Sequence, residues 1–202
     1  MPSHRQLLPS LAIMLLLSAP AFAQQQMGGP QHNAAQHNAA QRNAAQQQEL
    51  SQKDLDFIRN AAMGGMTEVE LGKIAEQKAH SPDVKSFGAR MVHDHSRAND
   101  QLATIAKERG VPVPQQLDTE HMQMRDRLAK LQGEAFDRSY IRMMVVDHDK
   151  DIKAFRQEAQ TGHDRELKRF ARETLAMVEQ HDRLAHDIER SMIAVGSSRP
   201  PR

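Results

Sequence analysis

The sequence predicts an all-α protein folded as an antiparallel four-helix bundle, and three observations carry that prediction. Apolar residues recur three, four or seven apart along three stripes. Phe87, Met91, His95, Leu102 and Ile105 form one; Phe136, Tyr140, Met144, His148, Ile152 and Phe155 form another. Phe170, Met177, His181, Leu184 and Ile188 form the third, which skips one turn between Phe170 and Met177. Helix stop and start signals divide residues 50–194 into four long segments. No stretch alternates apolar and polar residues as a half-buried strand would.

The first elements are an address and a tether. His4 and Arg5 precede an apolar run from Leu7 to Leu17, and Ala21-Phe22-Ala23 has the small-x-small pattern of a cleavage site. Residues 1–23 therefore read as a secretory signal peptide, too short in its apolar run to span a bilayer comfortably. The expected product is periplasmic or secreted, starting at Gln24. With no Cys among its 202 residues it takes neither a lipoprotein acyl chain nor a disulfide, so packing alone holds it together. Residues 24–48 repeat Gln-His-Asn-Ala-Ala at 31–35 and 36–40, then Gln41-Arg42-Asn43-Ala44-Ala45. Such a polar tract buries too little apolar area to offset its ordering entropy and reads as a disordered linker, as does the tail 196–202 with Pro200-Pro201.

The domain expected over 49–195 begins with a helix from about Leu50 to Ala79, where Ser51 and Asp54 resemble a capping box. Ser81-Pro82-Asp83 restarts the chain, since Ser caps and Pro fits the first helical position. The second helix runs to Arg109 and is stopped by Gly110, Pro112 and Pro114. Asp118 or Thr119 caps a short extra helix to about Gln132, and Gly133 interrupts the pattern before a third long helix from Glu134 to Thr161. Gly162 ends that helix, and Asp164 caps a fourth, to about Val195. The first and last turns are short, which makes the first and second, and the third and fourth, long helices antiparallel hairpins.

A repeated motif supplies the candidate chemistry. Met91-Val92-His93-Asp94-His95, Met144-Val145-Val146-Asp147-His148 and Met177-Val178-Glu179-Gln180-His181 each set a His four residues after a Met, on one face of the helix. Each of these histidines also lies on an apolar stripe, so three helices point an imidazole inward. The first helix offers Glu68, on a face with Ala61, Gly65, Gly72 and Ala75; Glu70 turns towards Met63, Met66 and Ile74 and remains an alternative. Counting from the last turn, His148 is nearer to it than His181 by around five residues, roughly 7 Å along the axis. That offset predicts two histidines and a carboxylate meeting, with the third histidine a turn or more away.

The candidate metal ligands are Glu68, His95, His148 and His181, with Asp94 and Asp147 behind them as partners that hold an imidazole tautomer. Imidazole with a carboxylate suits a transition metal such as zinc, copper or iron. The competing reading is a core of hydrogen-bonded structural histidines, with the Met residues as core filler. Di-iron carboxylate chemistry needs Glu-x-x-His on two helices, whereas Val92, Val145 and Val178 stand three before each inward His. No nucleophile–base pair or Gly-rich phosphate loop has a local signature, so the sequence leans against an enzyme. A net charge of +1, with Lys and Arg interspersed among Asp and Glu, argues against nucleic acid.

Several runs resemble one bacterial family. These are Glu68-Val69-Glu70-Leu71-Gly72-Lys73-Ile74-Ala75; Phe87-Gly88-Ala89-Arg90-Met91-Val92-His93-Asp94-His95 with Ala98-Asn99; Phe136-Asp137-Arg138-Ser139-Tyr140 with Asp147-His148; and Leu167-Lys168-Arg169-Phe170-Ala171 with His181. Together, over about residues 50–192, they look like the exported family called domain of unknown function 4142, placed among the ferritin-like bundles. The resemblance implies a ferritin-like four-helix fold in the periplasm or outer envelope, and brings no established activity. Its characteristic polar positions fall on Glu68, Asp94, His95, Asp147, His148 and His181. Where the family often has Leu-Pro in its fourth helix, Leu175-Ala176 stands here. The family's outer-membrane label finds no alternating strand pattern to support it.

Two readings result. One is a periplasmic bundle that binds a transition metal in metal handling or envelope stress. The alternative is a non-catalytic structural or protein-interaction module, its partner another envelope component.

Overall fold

The computed structural model describes residues 50–197, with side chains described as far as Ala194. The expected signal peptide, the linker 24–48 and residues 198–202 lie outside the described residues. Five helices follow in order: α1, Gln52–Lys78; α2, Pro82–Glu108; α3, Thr119–Ala129; α4, Gly133–Thr161; and α5, Arg165–Ser197. The four long ones form the all-α bundle, and there is no strand among the described residues. None of these helices is long and apolar enough to cross a membrane. α1 packs along α2 and α4 along α5, and the two hairpins join through α2 against α5 and α1 against α4. The short helix α3 rests on α1 and α4.

The helix ends follow from local chemistry, with two departures from expectation. Ser51 and Asp54 make the full capping box, and Asp118 caps α3 by accepting from His121 N. Ser81, expected to cap α2, makes no side-chain cap bond. Instead the backbone N–H groups of His80 and Ser81 donate to the Asp137 carboxylate of α4 at 2.9 and 2.8 Å. The pattern breaks after Ala129 and Gly133 stands at that break, as expected, but it belongs to α4 and opens it, one residue before Glu134, at φ +57°, where a side chain is disfavoured.

The two hairpins hold each other's turns reciprocally. Asp137, near the start of α4, grips the α1–α2 turn, and Asp54, near the start of α1, accepts from His163 N in the α4–α5 turn at 2.9 Å. Both aspartates are buried, so an unmade bond at either end would leave a costly orphan group. The α1–α2 crossing is set by size. A Cβ on Gly72 would stand 2.8 Å from Gly88 O, and one on Gly88 would stand 2.8 Å from the Ala75 Cβ.

The core has two apolar halves. One gathers Leu71, Phe87, Met91, Phe136, Tyr140 and Met144; the other gathers Ile58, Leu102, Ile105, Phe155, Leu167 and Phe170. Each large apolar side chain fully buried contributes about 1.5–3 kcal/mol. Along every long helix the residue between the two halves is polar and buried: Glu68 on α1, His95 on α2, His148 on α4 and His181 on α5.

Candidate metal centre

The four polar residues meet as one layer. Ring centroids lie 5.2 Å apart for His95 and His181, 5.5 Å for His148 and His181, and 5.8 Å for His95 and His148. One nitrogen from each ring lies within 4.8 Å of the other two. The third histidine is therefore not a turn away, as counting from the last turn predicts. α4 ends at Thr161 and α5 starts at Arg165, which leaves His181 only three residues further from the turn than His148. Side chains in a helix lean towards its N-terminus. In an antiparallel pair, His148 thus leans away from the shared turn and His181 leans towards it, and the two leans close the gap.

The hydrogen bonds fix how each ring is turned. His95 Nδ1 lies 2.8 Å from Glu68 Oε2, His148 Nδ1 donates to the Met144 carbonyl at 2.9 Å, and His181 Nε2 donates to Asp94 Oδ2 at 2.8 Å. Each of these partners is an acceptor, so each of these nitrogens carries the proton. In the neutral rings the lone pairs then belong to His95 Nε2, His148 Nε2 and His181 Nδ1. His95 Nε2 and His181 Nδ1 face each other at 3.3 Å, and His148 Nε2 is buried without a partner. Glu68 is close to two rings but well served by neither. Its Oε2 sits off the His95 N–H axis, its Oε1 is 3.6 Å from His148 Nδ1, and neither oxygen accepts a well-directed hydrogen bond.

Burial raises the affinity of Glu68 for its proton, but the electrostatic pull of His95 close by, with His148 and His181 behind, holds it down at about 2. Burial pushes His181 the other way, and the Asp94 hydrogen bond only partly opposes this, so the ring titrates at about 4 and is neutral at pH 7. Asp94 itself loses water on folding, yet His93, His181 and Arg90 lower its titration below the ordinary range.

The structure places the remaining sequence candidates plainly. Glu68 faces the core, while Glu70 is at the surface and pairs with Lys73 at 2.8 Å. Asp94 reaches His181 from the neighbouring helix. Asp147 bonds to none of the three rings; it lines a groove between α3 and α4 with Met124, Met144 and Lys150. One residue that the sequence reading passed over is Asp151. It shares a small internal cavity with Glu68 and His95, and burial followed by the Glu68 charge pushes its carboxyl well up. Its spacing of three from His148 places it on the same helix face, which was the available signal.

Fold and layer together define a helical bundle with three histidines and a glutamate at mid-core. The chain belongs to the family described as domain of unknown function (DUF4142), whose model matches residues 39–188. No curated protein matches it. Among solved structures, a DUF305 fragment from Deinococcus radiodurans aligns with a TM-score of 0.62 at 15% identity, covering 70% of this chain and 98% of that one. A DUF305 protein from Streptomyces coelicolor, whose name classes it among secreted proteins, aligns with a TM-score of 0.59 at 16% identity, covering 70% and 94%. At these identities the likeness is one of fold.

Proposed function

We propose that this protein is an exported bundle that binds one transition-metal ion through His95 Nε2, His148 Nε2 and His181 Nδ1, in metal handling or envelope stress protection. The observation that carries it is the convergence of three buried imidazoles whose other nitrogens are each held by an acceptor. That is how metal-binding histidines are usually oriented, with the far N–H on a carboxylate or a carbonyl. Glu68 and Asp94 then serve as those acceptors, and Glu68 brings a buried negative charge beside the cation. Its two poorly served oxygens and the orphan His148 Nε2 fit a donor set for zinc, copper, iron or nickel. The signal-like N-terminus and the secreted name of one structural neighbour support export.

The test is elemental analysis of the mature protein purified without a histidine tag, beside its His95→Ala variant. Near-stoichiometric metal in the first and its loss in the second is expected. No metal in either, and no change in melting with added zinc, copper or iron, overturns the reading in favour of a structural layer. A specific observation favours that second reading: the His148 and His181 rings already have a hydrogen-bond partner, and His95 lies against Glu68.

A further inference from the structure

Two grooves flank the histidine layer on α4, and they differ in charge. The α3–α4 groove, about 510 Å³, carries Arg138, Arg142 and Lys150 against the single acid Asp147. The α1–α4 groove, about 310 Å³, carries Asp56, Asp151 and Glu158 against the single base Lys53. Asp56 is already paired with Arg59 at 2.9 Å and Glu158 carries its charge only above about pH 7, so the acidic character of the second groove centres on Asp151, and of the two grooves it is the one that suits a cation.

Only the acidic groove continues inward. Its floor of Ala61, Asp151 and Phe155 is also one wall of the internal cavity that ends on Glu68 and His95. That cavity holds about 10 Å³, roughly the room for one water or a bare ion. Small residues keep it open on the α1 side: Ala61 at the neck and, one turn deeper, Gly65 against Asn99. Asp151 stands at the junction. No hydrogen bond or ion pair to the described residues engages its carboxyl, and the buried Glu68 charge acts on it. A cation placed between Asp151 and Glu68 relieves that repulsion, which Lys150 only partly offsets.

We propose that the α1–α4 groove is the path by which a divalent cation reaches and leaves the three histidines, with Asp151 the transfer ligand between solvent and the Glu68–His95 edge. The inference rests on the metal-binding reading above. Asp151 hands the ion inward and is not part of its final coordination, so it governs the rate of exchange and leaves the affinity alone. Ala61 sets the width of the neck.

The experiment follows zinc exchange in the full mature protein. Loading is measured by mixing with Zn²⁺, and release by transfer to a coloured chelator, in wild type, Asp151→Asn, Ala61→Leu and, on the opposite groove, Asp147→Asn. Asp151→Asn and Ala61→Leu should each slow loading and release together by about tenfold or more, with the equilibrium affinity within twofold of wild type. Asp147→Asn should leave both rates unchanged. Unaltered rates in Asp151→Asn and Ala61→Leu overturn the path while leaving the metal site standing. So does weaker equilibrium binding in Asp151→Asn, which would make Asp151 a resident ligand. A wild-type protein that takes up no zinc refutes the metal site itself, and the path with it.

Discussion

Glu158 should make this bundle less stable as the pH rises from about 4.5 to about 7, and Glu158→Gln should remove that loss. Glu158 lies near the end of α4, buried, with Asp54 of α1 and Asp164 of the α4–α5 turn facing it and Lys168 of α5 the nearby base. Burial first, then the charges of Asp54 and Asp164 and a hydrogen bond to Asp54, push its carboxyl up from 4.5 to about 7. The folded state therefore holds a proton that the unfolded state has already released between pH 4.5 and 7. Stability is present below that window and is lost as the pH rises through it. At about 1.4 kcal/mol per pKa unit the full shift corresponds to about 3 kcal/mol. The α1–α4 groove brings solvent to this carboxyl, and that screening reduces the figure to about 2 kcal/mol. Gln keeps a neutral donor for Asp54 without the charge. Urea unfolding of both proteins at pH 5, 6, 7 and 8 isolates the effect, since all other titrations cancel in the difference. The two should match near pH 5, and Glu158→Gln should be more stable by about 2 kcal/mol at pH 8. A difference that is flat with pH, or a Gln variant that is weaker at pH 8, refutes the reasoning.

The other predictions are shorter. Free metal at about a hundred times its dissociation constant stabilises the fold by about 2.7 kcal/mol, which raises the melting temperature by about 5–11 °C in a domain of this size. Calorimetry should show that rise in the wild type and none in His95→Ala. Gly88→Ala forces a methyl onto the Ala75 Cβ and the Gly72 carbonyl, and overpacking at a backbone crossing should cost about 1–3 kcal/mol in denaturant unfolding. Tyr140 is fully buried with its hydroxyl unpartnered among the described residues, so Tyr140→Phe should stabilise by about 1 kcal/mol. A loss of stability instead would reveal a bond from that hydroxyl.

The bundle was legible because helix periodicity and punctuation are local signals. Met91–His95 and Met144–His148 each fall on one face by spacing alone, and Gly110, Pro112 and Gly162 mark the stops in sequence. The meeting of the layer was legible only in part. Counting residues from the last turn gives axial height of the backbone, while the imidazole stands about a turn's fraction away from its own Cα. The opposite leans of His148 and His181 are a property of the antiparallel pairing, so a count along one chain misses them. Asp137 stands in the family pattern, but its role is invisible in sequence because its partners, the backbone N–H groups of His80 and Ser81, are more than fifty residues away. Asp151 was passed over for a similar reason: its neighbours at the cavity, Gly65 and Glu68, lie on another helix.

The layer itself is hard to account for as a device for stability. Replacing buried charged and hydrogen-bonded groups with well-packed apolar ones of like size is often neutral or stabilising by about 1–4 kcal/mol. A polar layer can instead fix helix register, as a single buried Asn does in coiled coils. Register here has other determinants. The Gly72–Gly88 contact sets the α1–α2 crossing, and Asp54 and Asp137 lock each hairpin to the other's turn. With register fixed at both ends and at the crossing, four polar residues at mid-core are left without a structural task that fewer would not perform. A double replacement, Glu68→Met with His95→Leu, removes the Glu68–His95 contact while leaving the clasps intact. The fold should be retained with equal or greater stability, and metal uptake should vanish. Loss of cooperative unfolding in that variant would show that the layer specifies the fold after all.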